Sequence, residues 1–239
     1  MADAHGDAVR ERFARTATVV AAHARRQVER VRDELRVFLA PLRGDERVLD
    51  AGTGAQTLAL ALAPLVGGVV GVDIVPELLA AARNGAPSNV IFVEADATRL
   101  PFDDGSFDLA CSRRTFHHVA RPELALAELA RVCRAGGRVF VDDQIAPADP
   151  LAAIEVDRFE QARDPSHHRT LPDGDFRDLF EANGLGLVTT RRFTHRRALD
   201  DYLGLAGCTG DVAERAKALS PGDREHYVAE SAWHLGRKV

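Results

Sequence analysis

The 239-residue sequence predicts an α/β fold with a doubly wound, mostly parallel sheet. Three observations carry that expectation. From Arg47 onward, short apolar runs alternate with segments of helical periodicity. The apolar runs, such as Val69-Val-Gly-Val-Asp73, are continuous rather than alternating, as in strands covered on both faces. Gly52 and Gly54 form a turn between the first such run and an Ala/Leu-rich helix, and repeated strand-helix units of this kind require right-handed crossovers.

Residues 8–40 carry Val9, Phe13, Ala17, Val20, Ala24, Val28, Val31, Leu35 and Phe38 at steps of three and four, predicting one amphipathic helix or two joined ones. Pro41 and Gly44 end it. Strands follow at 47–51, 69–73, 90–95, 107–112 and 137–142, with helices at 57–65, 76–84 and 122–134. Pro76 and Glu77 suit a helix start, and Asp103-Asp-Gly105 suits a turn. Gly136-Gly137 after Arg131 and Arg134 reads as a helix C-cap. Beyond 145 the pattern changes: 149–183 is polar and helical, broken by Pro150, Pro165 and Pro172. Leu185–Thr194 reads as a strand, 198–219 as helix, Ser220-Pro-Gly222 as a turn and Ala232–Val239 as a last strand.

Composition narrows the function classes. A net charge of −5 disfavours nucleic acid as a partner, because phosphate binding needs a concentrated basic face. The pairs Arg25-Arg26, Arg191-Arg192 and Arg196-Arg197 are interleaved with acids or histidines and read as solvated faces. No apolar run approaches the ~18 residues needed for a membrane span. The first residues lack a basic-then-apolar secretory layout, and Cys111, Cys133 and Cys208 are too scattered for a disulfide framework, so a reducing cytoplasmic location is expected.

The segment Arg47-Val-Leu-Asp-Ala-Gly-Thr-Gly-Ala-Gln-Thr57, with Gly71-Val-Asp73 on the next strand, holds the chemistry. Glycines there let backbone amides approach a ligand, the helix start offers unpaired N–H groups, and Asp73 is placed to accept hydrogen bonds from both ribose hydroxyls. The pattern reads as a site for a nucleoside-containing cofactor. A dinucleotide fingerprint fails, since the third glycine position is Thr57 and the Asp50 carboxylate would repel a pyrophosphate. With Glu94-Ala-Asp96-Ala97, Leu100-Pro-Phe-Asp-Asp-Gly-Ser-Phe-Asp108, Phe116-His-His-Val119 and Glu128-Leu-Ala-Arg-Val-Cys-Arg-Ala-Gly-Gly-Arg138, the chain resembles the class I S-adenosylmethionine-dependent methyltransferases. The resemblance is to the small-molecule branch that includes the ubiquinone/menaquinone-biosynthesis enzymes, strongly over about 45–145.

That resemblance implies a Rossmann-like domain at 45–239, a helical lid at 1–44, helical insertions near 145–183 and 195–230, and a final strand antiparallel to the fifth. It implies S-adenosylmethionine as cofactor, a small-molecule methyl acceptor and direct in-line transfer. Asp50 and the Gly52 and Gly54 backbone would surround the methionine part, Asp73 the ribose, Ile74 the adenine face, and Asp96 and the Ala97 N–H the adenine edge. Ser112 and Arg113 would border the cofactor's amino group. Gln56 replaces the family's third glycine; its side chain either points away from the ligand, bonds the cofactor's carboxylate or weakens affinity. His117 and His167 are candidate bases or structural histidines, and neighbouring histidines on a helix do not chelate one ion readily. Asp142-Asp143 resembles the acid pair of metal-dependent catechol methyltransferases, but no third ligand supports it, so no metal is expected. Oligomeric state is not legible. The rival readings are a binding-only protein that retains the nucleoside site and an NAD-dependent oxidoreductase.

Overall fold

The computed structural model describes residues 4–223 and 225–239; residues 1–3 of the expected lid and residue 224 of the expected second insertion lie outside them. A seven-stranded sheet organises the molecule, in the order β3-β2-β1-β4-β5-β7-β6. The parallel strands are β1 (Arg47–Ala51), β2 (Gly68–Asp73), β3 (Val90–Glu94), β4 (Phe107–Arg113) and β5 (Cys133–Ile145). β6 (Leu185–Ala198) and β7 (His226–Lys238) form an antiparallel ribbon, and β7 pairs antiparallel with β5.

β1, β2 and β4 are nearly all buried because helices cover both faces, as the unalternating runs predicted. β3, at the sheet edge, is the exception, with Ile91 58% exposed. One face packs against α5 (Pro122–Val132) and α7 (Asp173–Ala182), through Leu126, Leu129, Phe176 and Phe180. The other packs against α2 (Val28–Phe38) and α3 (Thr57–Leu62), through Val31, Leu35, Leu58 and Leu62. α4 (Pro76–Arg83) covers β2 and β3.

Some expectations shift and others resolve. The helix expected at 122–134 ends at Val132, and Gly136-Gly137 do not cap it. Instead Phe107 pairs with Cys133 and Leu109 with Arg138, so extra β5 residues bulge out and Gly136 takes φ +69° there. Of the alternatives for 8–40, one helix or two joined ones, the structure has two, α1 (Ala4–Arg25) and α2. The insertions resolve into α6 (Pro150–Arg163), α7, α8 (Leu199–Leu205) and α9 (Gly210–Leu219). No helix among the described residues is long and apolar enough to cross a membrane.

Strand direction places the last ribbon. Two antiparallel pairings return β6 to the direction of β5, so its carboxyl end points to the same crevice as those of the parallel strands. β5 stops at Ile145 opposite Glu230, whereas β6 and β7 stay paired through Arg197↔Tyr227 and Ala198↔His226. The ribbon therefore overhangs the crevice.

Candidate functional site

One cavity of about 900 Å³ occupies that crevice, at the upper end of the range for small-molecule sites. Its floor is the carboxyl ends of the strands, and α1 crosses it with Val9, Phe13, Val20 and His23. Asp50, Gly52, Gly54, Asp73, Ile74, Asp96, Ala97, Arg113 and His117 all line it. Gln56, Ser112 and His167 do not.

At the tip of β1, Asp50 is fully buried, and its Oδ2 accepts from Thr53 Oγ1 (2.7 Å) and the Ala59 N–H (3.1 Å). Its Oδ1 has no partner among the described residues, and burial pushes the carboxyl up to about 6. Gly52 sits at φ +71°, and a Cβ there would lie 2.3 Å from the Thr115 side chain, so the turn admits only glycine. Gly54 donates its N–H to Asp73 Oδ2 at 2.7 Å, while Asp73 Oδ1 accepts from the Val75 N–H at 3.0 Å. Asp73 thus ties the turn to the tip of β2, and burial raises its carboxyl above the ordinary range. A carboxylate has about four acceptor sites, so lone pairs remain for a ligand's hydroxyls. At the tip of β3, Asp96 is exposed and its Oδ1 accepts from the Thr98 N–H and hydroxyl, each at 2.8 Å.

Gln56 adopts the left-handed conformation that the glycine pattern requires, at φ +63° and ψ +18°. Its side chain is buried away from the cavity, with Oε1 unpartnered among the described residues. The loop keeps its shape at the expense of a strained residue. Ser112 Oγ donates to the Ala51 carbonyl at 2.8 Å and braces β4 against β1.

The two acids at the end of β5 diverge, because successive strand residues face opposite sides. Asp142 lies 2.9 Å from Arg113 Nε and 3.3 Å from Arg114 Nε. Asp143 Oδ1 meets His117 Nδ1 at 2.5 Å, and its Oδ2 accepts from the Thr115 and Phe116 N–H groups at 2.9 and 2.7 Å. Burial works to raise the Asp143 carboxyl, but His117, Arg114 and the backbone donors hold it down at about 2. Facing an ionised carboxylate, Nδ1 carries a ring hydrogen. The His167 ring lies 5.7 Å from that of His117 but is held by a different acid, with Nε2 2.9 Å from Asp157 Oδ1. No cluster of His, Cys, Asp and Glu among the described residues suits a metal ion.

Sequence reasoning missed the wall built by the insertions. Gln144, Arg163, His195, Arg197 and Tyr202 line the cavity. Their available signal was the pair Arg196-Arg197, read as a solvated face; Arg196 is exposed, but Arg197 is half-buried against the Tyr202 ring at 5.0 Å.

A glycine turn clamped by the acid of the adjacent strand, at the carboxyl edge of a doubly wound sheet, lies where open α/β sheets bind their ligands. Residues 49–141 match the methyltransferase domain family. Over 181 residues the chain is 34% identical to the uncharacterized methyltransferase YcgJ of Bacillus subtilis, covering 74% of this chain and 72% of that protein. The crystal structure of YcgJ superposes with a TM-score of 0.81 at 27% identity, covering 87% and 98% of the two chains. A demethylmenaquinone methyltransferase of Clavibacter sepedonicus is 38% identical over 130 residues, which cover 54% of this chain and 53% of that enzyme, about half the length of each. The fold also matches geranyl diphosphate methyltransferase, solved in complex with SAM, with a TM-score of 0.66 at 17% identity over 93% and 90% of the chains. The chain belongs to the class I methyltransferases and is an enzyme of that family.

Proposed function

We propose that this enzyme transfers the methyl group of S-adenosylmethionine to a small organic acceptor by direct in-line displacement. The observation that carries this reading is the Asp73 clamp on Gly54 and Val75, opening onto a cavity also lined by Ile74, Asp96 and Ala97. These residues fit the cofactor: the Asp73 carboxylate suits a ribose diol, Ile74 an apolar ring face, and Asp96 an exocyclic amine. The unpartnered Asp50 Oδ1 suits a cationic group, which would offset the cost of a lone buried carboxylate. Bound there, the cofactor supplies a methyl group already activated by its positively charged sulfur.

The chain's own task is then alignment, exclusion of water and handling of a proton. α1 acts as a lid, with residues 1–44 as the lid segment of a methyltransferase domain at 45–239. His117 Nε2 accepts the acceptor's proton as it attacks, while Asp143 fixes the ring and stabilises the imidazolium that forms. His167, which lies outside the cavity lining, takes no part.

Calorimetry with S-adenosylmethionine and S-adenosylhomocysteine tests the cofactor site, and mass spectrometry of an acceptor panel tests transfer. Saturable nucleoside binding is expected, and its absence from the folded protein would sink the proposal. Asp73→Ala should weaken cofactor binding roughly tenfold or more, the loss of hydrogen bonds worth about 1.5–3 kcal/mol. His117→Ala and Asp143→Asn should each lower turnover by about a hundredfold or more with cofactor affinity nearly intact. Unimpaired turnover in both would remove the proton-transfer role.

A further inference from the structure

The cavity is electrically polarised. Over β1, β2 and β3 its charged groups are acids, Asp50, Asp73 and Asp96. Over β4, β5 and the overhanging end of β6 it is lined by the guanidiniums of Arg113, Arg114 and Arg197, with Asp142 between the first two; the other buried acids nearby, Asp143, Glu160 and Asp164, pair with His117, Arg163 and Arg12. Asp201 also lines this end, but it is exposed on α8 at the rim.

The guanidiniums differ in how they are compensated. Asp142 is shared between Arg113 and Arg114. Arg114 Nη2 reaches His195 Nε2 at 3.3 Å, and the same nitrogen lies 2.8 Å from Ser231 Oγ, so His195 adds no negative charge. Tyr202 lies between two arginines, with Arg163 4.0 Å and Arg197 5.0 Å from its ring centre. Arg163 is neutralised by Glu160 at 2.8 Å, which also accepts the Tyr202 hydroxyl at 2.8 Å. Arg197 has no carboxylate within ion-pair distance among the described residues, although it is half-buried. A half-buried guanidinium beside an aromatic ring, with no hydrogen-bond or ion-pair partner among the described residues, is placed to receive a planar or tetrahedral oxyanion.

We infer that this end of the cavity binds the anionic group of the methyl acceptor, a carboxylate or phosphate, with Arg197 as its principal contact. The inference rests on the methyltransferase reading and names the acceptor's class. It separates the two substrates by charge: acids face the nucleoside, and arginines face the acceptor. Arg197 acts in specificity, through acceptor affinity, and not in proton transfer.

The test is calorimetry of the S-adenosylhomocysteine-saturated protein with benzoate, inorganic phosphate and neutral benzamide. Saturable binding of at least one anion without benzamide binding is expected, and the two anions distinguish a carboxylate from a phosphate subsite. Arg197→Gln should weaken the anion at least tenfold and Arg197→Lys less, with S-adenosylhomocysteine affinity within twofold and melting temperatures confirming folded variants. Absence of anion preference, or unchanged anion affinity in Arg197→Gln, overturns the inference. A matching fall in S-adenosylhomocysteine affinity also overturns it, by assigning Arg197 to the cofactor's own carboxylate. Failure of wild-type protein to bind S-adenosylhomocysteine would instead count against the methyltransferase reading, and the anion titrations of the unliganded protein still decide the subsite.

Discussion

Asp50 is ionised at neutral pH only against the cost of a sealed site. Its folded-state value of about 6 exceeds that of an ordinary carboxyl, so between about pH 4 and 6 the native state binds more protons than the unfolded chain. Stability from this group therefore falls as pH rises through that window and levels off above it. Asp50→Asn keeps an acceptor for Thr53 and Ala59 and removes the charge. In the unliganded protein it should raise the melting temperature at pH 8, and the difference should close below about pH 5; a pH-independent difference would contradict the assignment. Gln56 presents the complementary case, a strained backbone whose side chain is buried outside the cavity lining. Gln56→Gly should leave cofactor affinity within about threefold, because the amide is buried outside the cavity lining. A larger change in titration calorimetry would mean that the side chain reaches the ligand. Which way the Gln56 side chain points was not legible, because direction of a side chain depends on φ and ψ that only the folded turn sets. The partner of His117 was hidden for another reason. Asp143 stands 26 residues away, and nothing in the Asp142-Asp143 pair says which member faces His117 until strand geometry sends them to opposite sides.

At the scale of elements, continuous apolar runs bounded by turn residues located the five parallel strands, of which all but the edge strand β3 are largely buried. The boundaries failed where tertiary pairing extends a strand beyond its apolar run. β7 begins at His226 rather than Ala232, because β6 supplies backbone partners for polar residues out to Ala198. The overhang that carries Arg197 was invisible for that reason: nothing in His195-Arg196-Arg197 has strand character by itself. The same ribbon meets α7 tightly. A Cβ on Gly236 would lie 2.6 Å from Phe180 Cδ1 and 3.2 Å from Leu185 Cβ, both fully or nearly fully buried. Gly236→Ala should therefore destabilise the protein by about 1–3 kcal/mol, the usual cost of overpacking. Denaturant unfolding measures it, and a neutral result would show that α7 can slide on β7.

The whole molecule closes its cavity from the side that the sequence describes least. α1 touches α4 near the proposed nucleoside end and α8 near the proposed acceptor end, so it bridges the crevice rather than resting on one wall. Its apolar stripe is only part of the fastening, because Arg12 is buried in the same helix. Arg12 Nη2 lies 2.6 Å from Asp164 Oδ2 at the end of α6, and its guanidinium also covers the Phe13 ring at 3.9 Å. Both side chains of the pair are almost fully buried, so each ion needs the other. Removing one partner of such a pair typically costs about 3–5 kcal/mol, whereas an exposed pair on the same helix, such as Arg15 with Glu11, is worth about 0.5 kcal/mol or less. The proposed lid is thus held by one strong ionic latch to the insertion that shapes the acceptor end. Arg12→Ala should free α1 without unfolding the sheet: amide exchange should rise across Ala4–Arg25 and stay slow in β1, β2 and β4. Cofactor dissociation should accelerate, since the roof over the nucleoside end is the same helix. Arg15→Ala should change neither. Equal exchange acceleration in α1 and the central strands would show that the latch supports global stability and not lid closure.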